Sequence, residues 1–324
     1  MRRFLVRFLF FVFPIVVVIY PMDYFISKYL SESKNYSEGE IEVWNDIYSS
    51  NINSDIVIYG SSRAWTHISP QIIEDSLHIN SYNFGIDGHN FWLQYFRHKE
   101  LLKYNKKPKL IILSLDIFTL CKSIELYNYQ QFLPFLLWNK DMYQYTSPYI
   151  AFSTYDYYIP LIRYRNERSS LCAALRSFVN FNNTPLRTKG YMGVNANWNN
   201  DLENAKLIRD SYDVNLDSST VWLFEQFISE CNSDGIELIL VYSPEYIEGQ
   251  SFVKNREEMI SKYKYFAKKY NLLFLDYSKD ELSIQKHNFR NSQHLNKMGS
   301  EVFTKRLIHD IKLQAPSLVE SLVR

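Results

Sequence analysis

Residues 55–62 read Asp-Ile-Val-Ile-Tyr-Gly-Ser-Ser, an apolar, mostly β-branched run closed by glycine and two serines. A strand without polar alternation is covered on both faces, a condition that belongs to parallel sheets held between helices. Ser69-Pro70 then opens a helix to about Leu77, with Ser69 as N-cap and Pro70 in the first helical position. A strand at Ser81–Phe84, a helix from His89 to about Tyr104 and a strand at Leu110–Leu115 follow. Beyond a long middle stretch come a strand at Ile236–Tyr242, a helix at Val253–Tyr270, a strand at Leu272–Asp276 and a helix at Asn296–Leu313. This alternation predicts an α/β fold, a three-layer sandwich with a parallel sheet, whose chemistry gathers at the carboxyl ends of the strands.

The N-terminus bears on the compartment. Arg2, Arg3 and Arg7 precede an apolar run from Phe8 to Tyr20, and Asp23 is the one charge in its extension to Ile26. The positive-inside rule predicts a single-pass anchor over residues 1–30, with the arginines cytoplasmic and the rest of the chain outside the cytoplasmic (inner) membrane. The uncharged core is short for a full span, so a cleaved signal peptide is the alternative. Pro21-Met22-Asp23-Tyr24 contains no small-x-small cleavage site and favours a retained anchor. A buried core helix is a third reading, which the arginine flank fits badly. Residues 31–54 are polar, with a helical patch at Ile41–Ile47, and read as a stalk. The main domain is expected over residues 55–324. Within it, residues 121–218 read as a helical, aromatic-rich insertion or lid containing Tyr155, Tyr157 and Tyr158.

Composition excludes several classes. Lys+Arg 36 against Asp+Glu 35 leaves a net charge of +1, which offers no general attraction for nucleic acid. Cys121, Cys172 and Cys231 form no CxxC pair, so neither a zinc site nor a disulfide framework is indicated. No phosphate-binding glycine loop, dinucleotide fingerprint or paired-histidine motif is present, so no metal and no cofactor is expected.

Three segments carry candidate chemistry. Gly60-Ser61-Ser62-Arg63 ends the first strand, where a serine hydroxyl projects from the sheet edge beside helix N-terminal amides. Alone it is also a common turn. Asn83-Phe84-Gly85-Ile86-Asp87-Gly88 follows the second strand and offers glycine amides to a substrate oxygen, although a plain β-α turn has the same composition. Asn291-Ser292-Gln293-His294-Leu295-Asn296 places one imidazole in the loop before the last helix, where a base for Ser62 must lie; most loop histidines are simply solvated.

Taken together and in this order, the three segments resemble the blocks of the SGNH/GDSL hydrolase superfamily. The resemblance covers about 55–114 and 236–311 and implies an SGNH-hydrolase or flavodoxin-like fold. It makes Ser62 the nucleophile, His294 the base and Gly88 the oxyanion glycine, with Asn83, Gly85 and Arg63 around the site. The anchor and the Gly-Ser-Ser form of the first block resemble the branch containing the D-alanine transfer protein of teichoic acid synthesis, whose members often work beside a membrane-bound O-acyltransferase. That implies an O-acyltransferase or esterase acting on a cell-envelope glycan and an acyl donor.

Two positions depart from the family pattern. Asn291 stands where the triad aspartate is usual, and in serine proteases that exchange costs about 10⁴-fold in turnover, roughly 5 kcal/mol of barrier. Asp276, ending the preceding strand, is an alternative carboxylate or a turn cap. Ser114-Leu115-Asp116-Ile117 lacks the usual oxyanion asparagine. An ionised Asp116 facing the oxyanion opposes the reaction, so it is expected to turn away, for example toward Arg63. The competing reading is a degenerate site kept as a glycan-binding or docking module for the membrane acyltransferase.

Overall fold

The computed structural model describes residues 1–88, 91–208 and 210–323. In chain order its elements begin with α1 (Arg2–Ser31), α2 (Glu40–Tyr48), β1 (Ile56–Tyr59), α3 (Ser62–His67), α4 (Pro70–Leu77), β2 (Ser81–Asn83), α5 (Phe91–Tyr104) and β3 (Leu110–Leu115). The middle holds α6 (Lys140–Thr146), α7 (Thr154–Tyr158), α8 (Arg168–Phe178), α9 (Asp201–Ile208) and α10 (Ser218–Ser233). The last part runs β4 (Glu237–Tyr242), α11 (Ile247–Gln250), α12 (Arg256–Tyr270), β5 (Leu273–Asp276), α13 (Lys297–Gln314) and α14 (Pro316–Val323). The helix start expected at His89 lies outside the described residues.

The strands form one parallel sheet in the order β2-β1-β3-β4-β5. All four residues of β1 are buried because both faces of the sheet are covered. Ile56, Ile58, Ile112, Ile239 and Val241 pack with Ile73 of α4 and with Leu307 and Ile311 of α13. On the opposite face Tyr59 stacks on Phe84 and meets His98 of α5 edge-on. The chain turns one way from β1 to β2 and the other way to β3, so the switch point that makes a crevice in doubly wound sheets falls at the carboxyl end of β1. The N-cap at Ser69 is present, its Oγ accepting from the Ile72 amide.

The molecule divides into two compact units, one of Ile47–Ser123 with Arg187–Arg324, the other of Met1–Asp46 with Ile124–Leu186. The first holds the sheet. The second differs from the expected anchor, stalk and insertion. In α2 the stretch read as a stalk buries Ile41, Val43 and Trp44 along one side, and Trp44 Nε1 donates to Gln131 Oε1 at 2.8 Å. In α1, Asp23 receives Arg163 Nη2 at 2.7 Å and the Leu161 amide at 2.6 Å. Residues 187–218, read as part of the insertion, belong to the sheet unit.

Where an anchor is expected over residues 1–30, the structure has the single helix α1. Among the described residues no helix is long and apolar enough to cross a membrane. Between Arg7 and Asp23 the uncharged stretch of α1 is about 22 Å long at 1.5 Å per residue, short of the roughly 30 Å hydrocarbon core.

Candidate active site

Gly60 makes the turn out of β1. Its φ is +145°, and a Cβ there would lie 2.6 Å from the Ser114 carbonyl oxygen of neighbouring β3, so only glycine lets the strands close and the chain reverse. Ser61 caps α3, its Oγ accepting the Arg63 amide at 3.1 Å. Ser62 therefore begins a helix at the switch point, half-buried, at the carboxyl end of β1.

His294 reaches Ser62 from the loop between β5 and α13. Its Nε2 lies 2.8 Å from Ser62 Oγ, and its Nδ1 lies 3.1 Å from Asn291 Oδ1. The Asn291 oxygen also accepts the backbone N–H of Gln293 at 3.1 Å and of His294 at 2.9 Å. Those two amides identify the atom facing the imidazole as oxygen, because an NH₂ group there would oppose two donors. The imidazole then carries its proton on Nδ1 and offers Nε2 as acceptor to the serine hydroxyl, the tautomer a general base needs. The loop is tied down elsewhere. Ser292 O accepts the Tyr246 amide at 3.0 Å, and the Leu295 amide donates to His67 Nε2 at 2.9 Å. Burial, then the positive charges of Arg290 and Arg63, push His294 down to about 3, so it is neutral at ordinary pH.

Arg63 points away from the serine into a buried ion network. Its Nη1 lies 2.9 Å from Asp116 Oδ1 and 2.6 Å from Glu245 Oε1, and its Nη2 donates to the Ser243 carbonyl. Glu245 Oε2 takes Arg256 Nη1 at 2.6 Å, and both guanidinium groups lie over the Tyr242 ring. Two cations and two carboxylates thus balance beneath the site, and Asp116 faces Arg63 rather than the reaction centre. Asp276, at the end of β5, accepts the Ser278 amide at 3.0 Å as a turn cap.

The second block divides by role. Asn83 is fully buried; its Nδ2 donates to Ala64 O and Ile68 O at 2.8 Å each, and its Oδ1 accepts the Gly85 amide at 2.9 Å. Its amide is spent holding α3 in place, which corrects the expectation that it meets substrate. Gly85 is corrected likewise. A Cβ there would sit 2.6 Å from the Trp65 nitrogen, and its carbonyl accepts Arg97 and Arg187 at 3.2 and 3.3 Å, so it is a close-packing position. Gly88 is half-exposed with φ +89°, a conformation that favours glycine.

Sequence reasoning missed Glu245, Arg256 and His67. Glu245 stands three residues beyond β4, at the strand end where such sheets collect chemistry, and that position was a usable signal. Arg256 and His67 sit on helices with no local motif.

No protein-family profile matches the chain, and no curated protein does. Among solved structures it is similar to a protein described as a lipolytic member of the G-D-S-L family from Desulfitobacterium hafniense, at 12% identity over 79% of this chain and 99% of that one, with a TM-score of 0.40. It is also similar to a GDSL-like lipase from Bacteroides thetaiotaomicron, at 10% identity over 83% of this chain and 97% of that one, with a TM-score of 0.39. The fold class of the chain rests on its five parallel strands, and the candidate site on the contacts that join Ser62, His294 and Asn291.

Proposed function

We propose that the chain is a serine-dependent esterase or O-acyltransferase acting on acyl groups of a cell-envelope polysaccharide, outside the cytoplasmic membrane. The 2.8 Å contact between Ser62 Oγ and His294 Nε2 carries the chemistry. Ser62 Oγ attacks an ester carbonyl while its proton passes to His294. The ester C–O bond then breaks, and the leaving alkoxide takes that proton. A glycan hydroxyl or a water molecule, deprotonated by the same imidazole, attacks the acyl-serine; the Ser62 Oγ–acyl bond breaks, Oγ takes that proton back from His294, and the acylated glycan or free acid leaves. The Ser62 and Gly88 amides are the proposed oxyanion donors.

The envelope setting is supported by the arginine flank and by the family resemblance, which also names a membrane-bound O-acyltransferase as partner. Phe4, Phe10 and Phe13 of α1 are exposed and suit attachment to a bilayer. One observation favours the second reading, a glycan-binding or docking module. The group opposite the His294 Nδ1 proton is a neutral amide, so no carboxylate stabilises the imidazolium.

The test is covalent labelling of the full chain in detergent by a fluorophosphonate, beside Ser62→Ala and His294→Ala. Labelling lost in both variants supports the esterase reading. A folded wild-type chain that labels no faster than Ser62→Ala sinks it and leaves the docking role.

A further inference from the structure

In the unit of Met1–Asp46 with Ile124–Leu186, exposed apolar side chains adjoin one another. Pro21, Met22, Phe25 and Ile26 of α1 with Leu171 and Leu175 of α8 line a groove of about 480 Å³. Phe178 of α8 packs edge-on against Phe25 and Tyr29 and is still half-exposed. Elsewhere on α1, Tyr20 stacks on Trp138 with ring centroids 5.5 Å apart, and Trp138 Nε1 donates to the Tyr158 carbonyl at 3.1 Å. Tyr20, Trp138 and Tyr158 are all exposed. These residues form a collar around the place where α1 enters the unit. Nearer the start of α1, Phe4 and Phe13 stand about two and a half turns apart, on opposite sides of the helix, and both are exposed. A helix apolar on all sides calls for apolar surroundings.

The collar carries charge of one sign. Lys28, Arg165, Arg168 and Arg176 are exposed, whereas the acid among them, Glu167, accepts the Tyr129 hydroxyl at 2.5 Å. A protein partner makes about one hydrogen bond per 100–200 Å² of interface, yet no side chain lining the groove offers a hydrogen-bonding group. A bilayer asks for none in its hydrocarbon. It favours Trp and Tyr at its boundary and draws cations to anionic headgroups.

Resting on the membrane setting proposed above, we infer that this collar is a second membrane contact beside α1. It seats on an anionic phospholipid surface, with acyl chains in the α1–α8 groove and lipid phosphates at Arg165, Arg168 and Arg176.

The experiment uses the full chain carrying Cys172→Ser and Leu175→Cys, with a nitroxide attached at position 175. Burial pushes the Cys121 thiol up to about 11 and the Cys231 thiol up to about 12, so both react slowly at neutral pH. Paramagnetic resonance then reads how open the nitroxide is to a neutral, water-soluble nickel complex and to oxygen, which concentrates in hydrocarbon. On vesicles of phosphatidylcholine with phosphatidylglycerol, access to nickel should fall about fivefold or more and access to oxygen should rise. Arg165→Glu, Arg168→Glu and Arg176→Glu together should reverse most of that change while the chain stays bound through α1. A bound chain whose nitroxide stays as open to nickel as in solution overturns the collar and leaves α1 as the sole contact. Equal shielding on vesicles without phosphatidylglycerol overturns the anionic headgroup as partner. Shielding without vesicles, in a chain that sediments as a dimer, gives the groove to a second copy and overturns the bilayer as its occupant. A chain that never floats with vesicles overturns the membrane setting itself, and the collar with it.

Discussion

Asn291 Oδ1 sits 3.1 Å from His294 Nδ1, held there by the N–H groups of Gln293 and His294. In a protease triad, the Asp-to-Asn exchange is damaging because the amide selects the wrong imidazole tautomer. Here two backbone donors fix the oxygen toward the ring, so the tautomer is right and only the negative charge is missing.

Asn291→Asp supplies that charge in the same geometry. A carboxylate beside the ring favours the imidazolium and raises the pKa of His294, so fluorophosphonate labelling should accelerate ~10-fold or more at pH 7–8. A rate unchanged or lowered in a folded Asn291→Asp chain would mean that charge at this position is not what limits the serine.

The pH profile follows from the direction of the shift. His294 is pushed down to about 3, so its base form persists far below the usual histidine range, and wild-type labelling should be flat between pH 8 and 5. In Asn291→Asp a decline on the acid side should return. A wild-type rate that halves near pH 6.5 contradicts the buried, neutral imidazole.

Stability has its own acid limit. Burial pushes His98 down to about 4 and holds His67 well below the usual range, in both cases as the largest cause. Unfolded, these histidines titrate near 6.5. Below that pH the unfolded chain binds protons that the folded chain refuses, so stability is full above about 6.5 and falls as the pH drops further. Each group contributes up to about 1.4 kcal/mol per pH unit. Urea midpoints of the full chain at pH 8, 7 and 5.5 should be similar for the first two and clearly lower for the third; equal midpoints at 7 and 5.5 count against it.

Glu245 joins Arg63 to Arg256 at 2.6 Å on each side. Glu245→Ala leaves buried cations without their shared partner and should destabilise the sheet unit by about 3–5 kcal/mol. Glu245→Gln keeps acceptor oxygen and should cost less. Chemical denaturation of the full chain reads both, and an Ala variant within ~0.5 kcal/mol of wild type would show that the network contributes little.

Asp23 and Arg163 pair at 2.7 Å with side chains almost wholly buried. Asp23→Ala should destabilise their unit by about 3–5 kcal/mol, and a chain begun at Ser31 should lose the same contact while one begun at Pro21 keeps it. Limited proteolysis across residues 124–186 distinguishes them, with rapid cleavage expected for the first two and not for the third. Equal resistance in all three chains contradicts the lock.

Much of the sheet unit was legible because its rules are local. An all-apolar run ending in Gly60 means a doubly covered strand, and Ser69-Pro70 means a helix start; both depend on neighbours within a few residues. The positions of Ser62 and His294 at strand and loop ends were legible for the same reason. Asn83 and Gly85 were read as substrate-facing because a β-α turn and an oxyanion loop share one composition. Only the packing of α3 shows their amide and carbonyl groups facing inward.

The sequence by itself determined the parallel α/β class and the residue types available to the candidate site, since strand burial and helix capping are short-range physics. Tertiary structure alone decided that His294 meets Ser62, how Glu245 and Arg256 balance Arg63, and that Asp23 is packed against Arg163. Those outcomes depend on groups up to 232 residues apart, as Ser62 and His294 are. Whether a buried charge or amide is satisfied is set by which distant partner the fold brings within hydrogen-bonding reach.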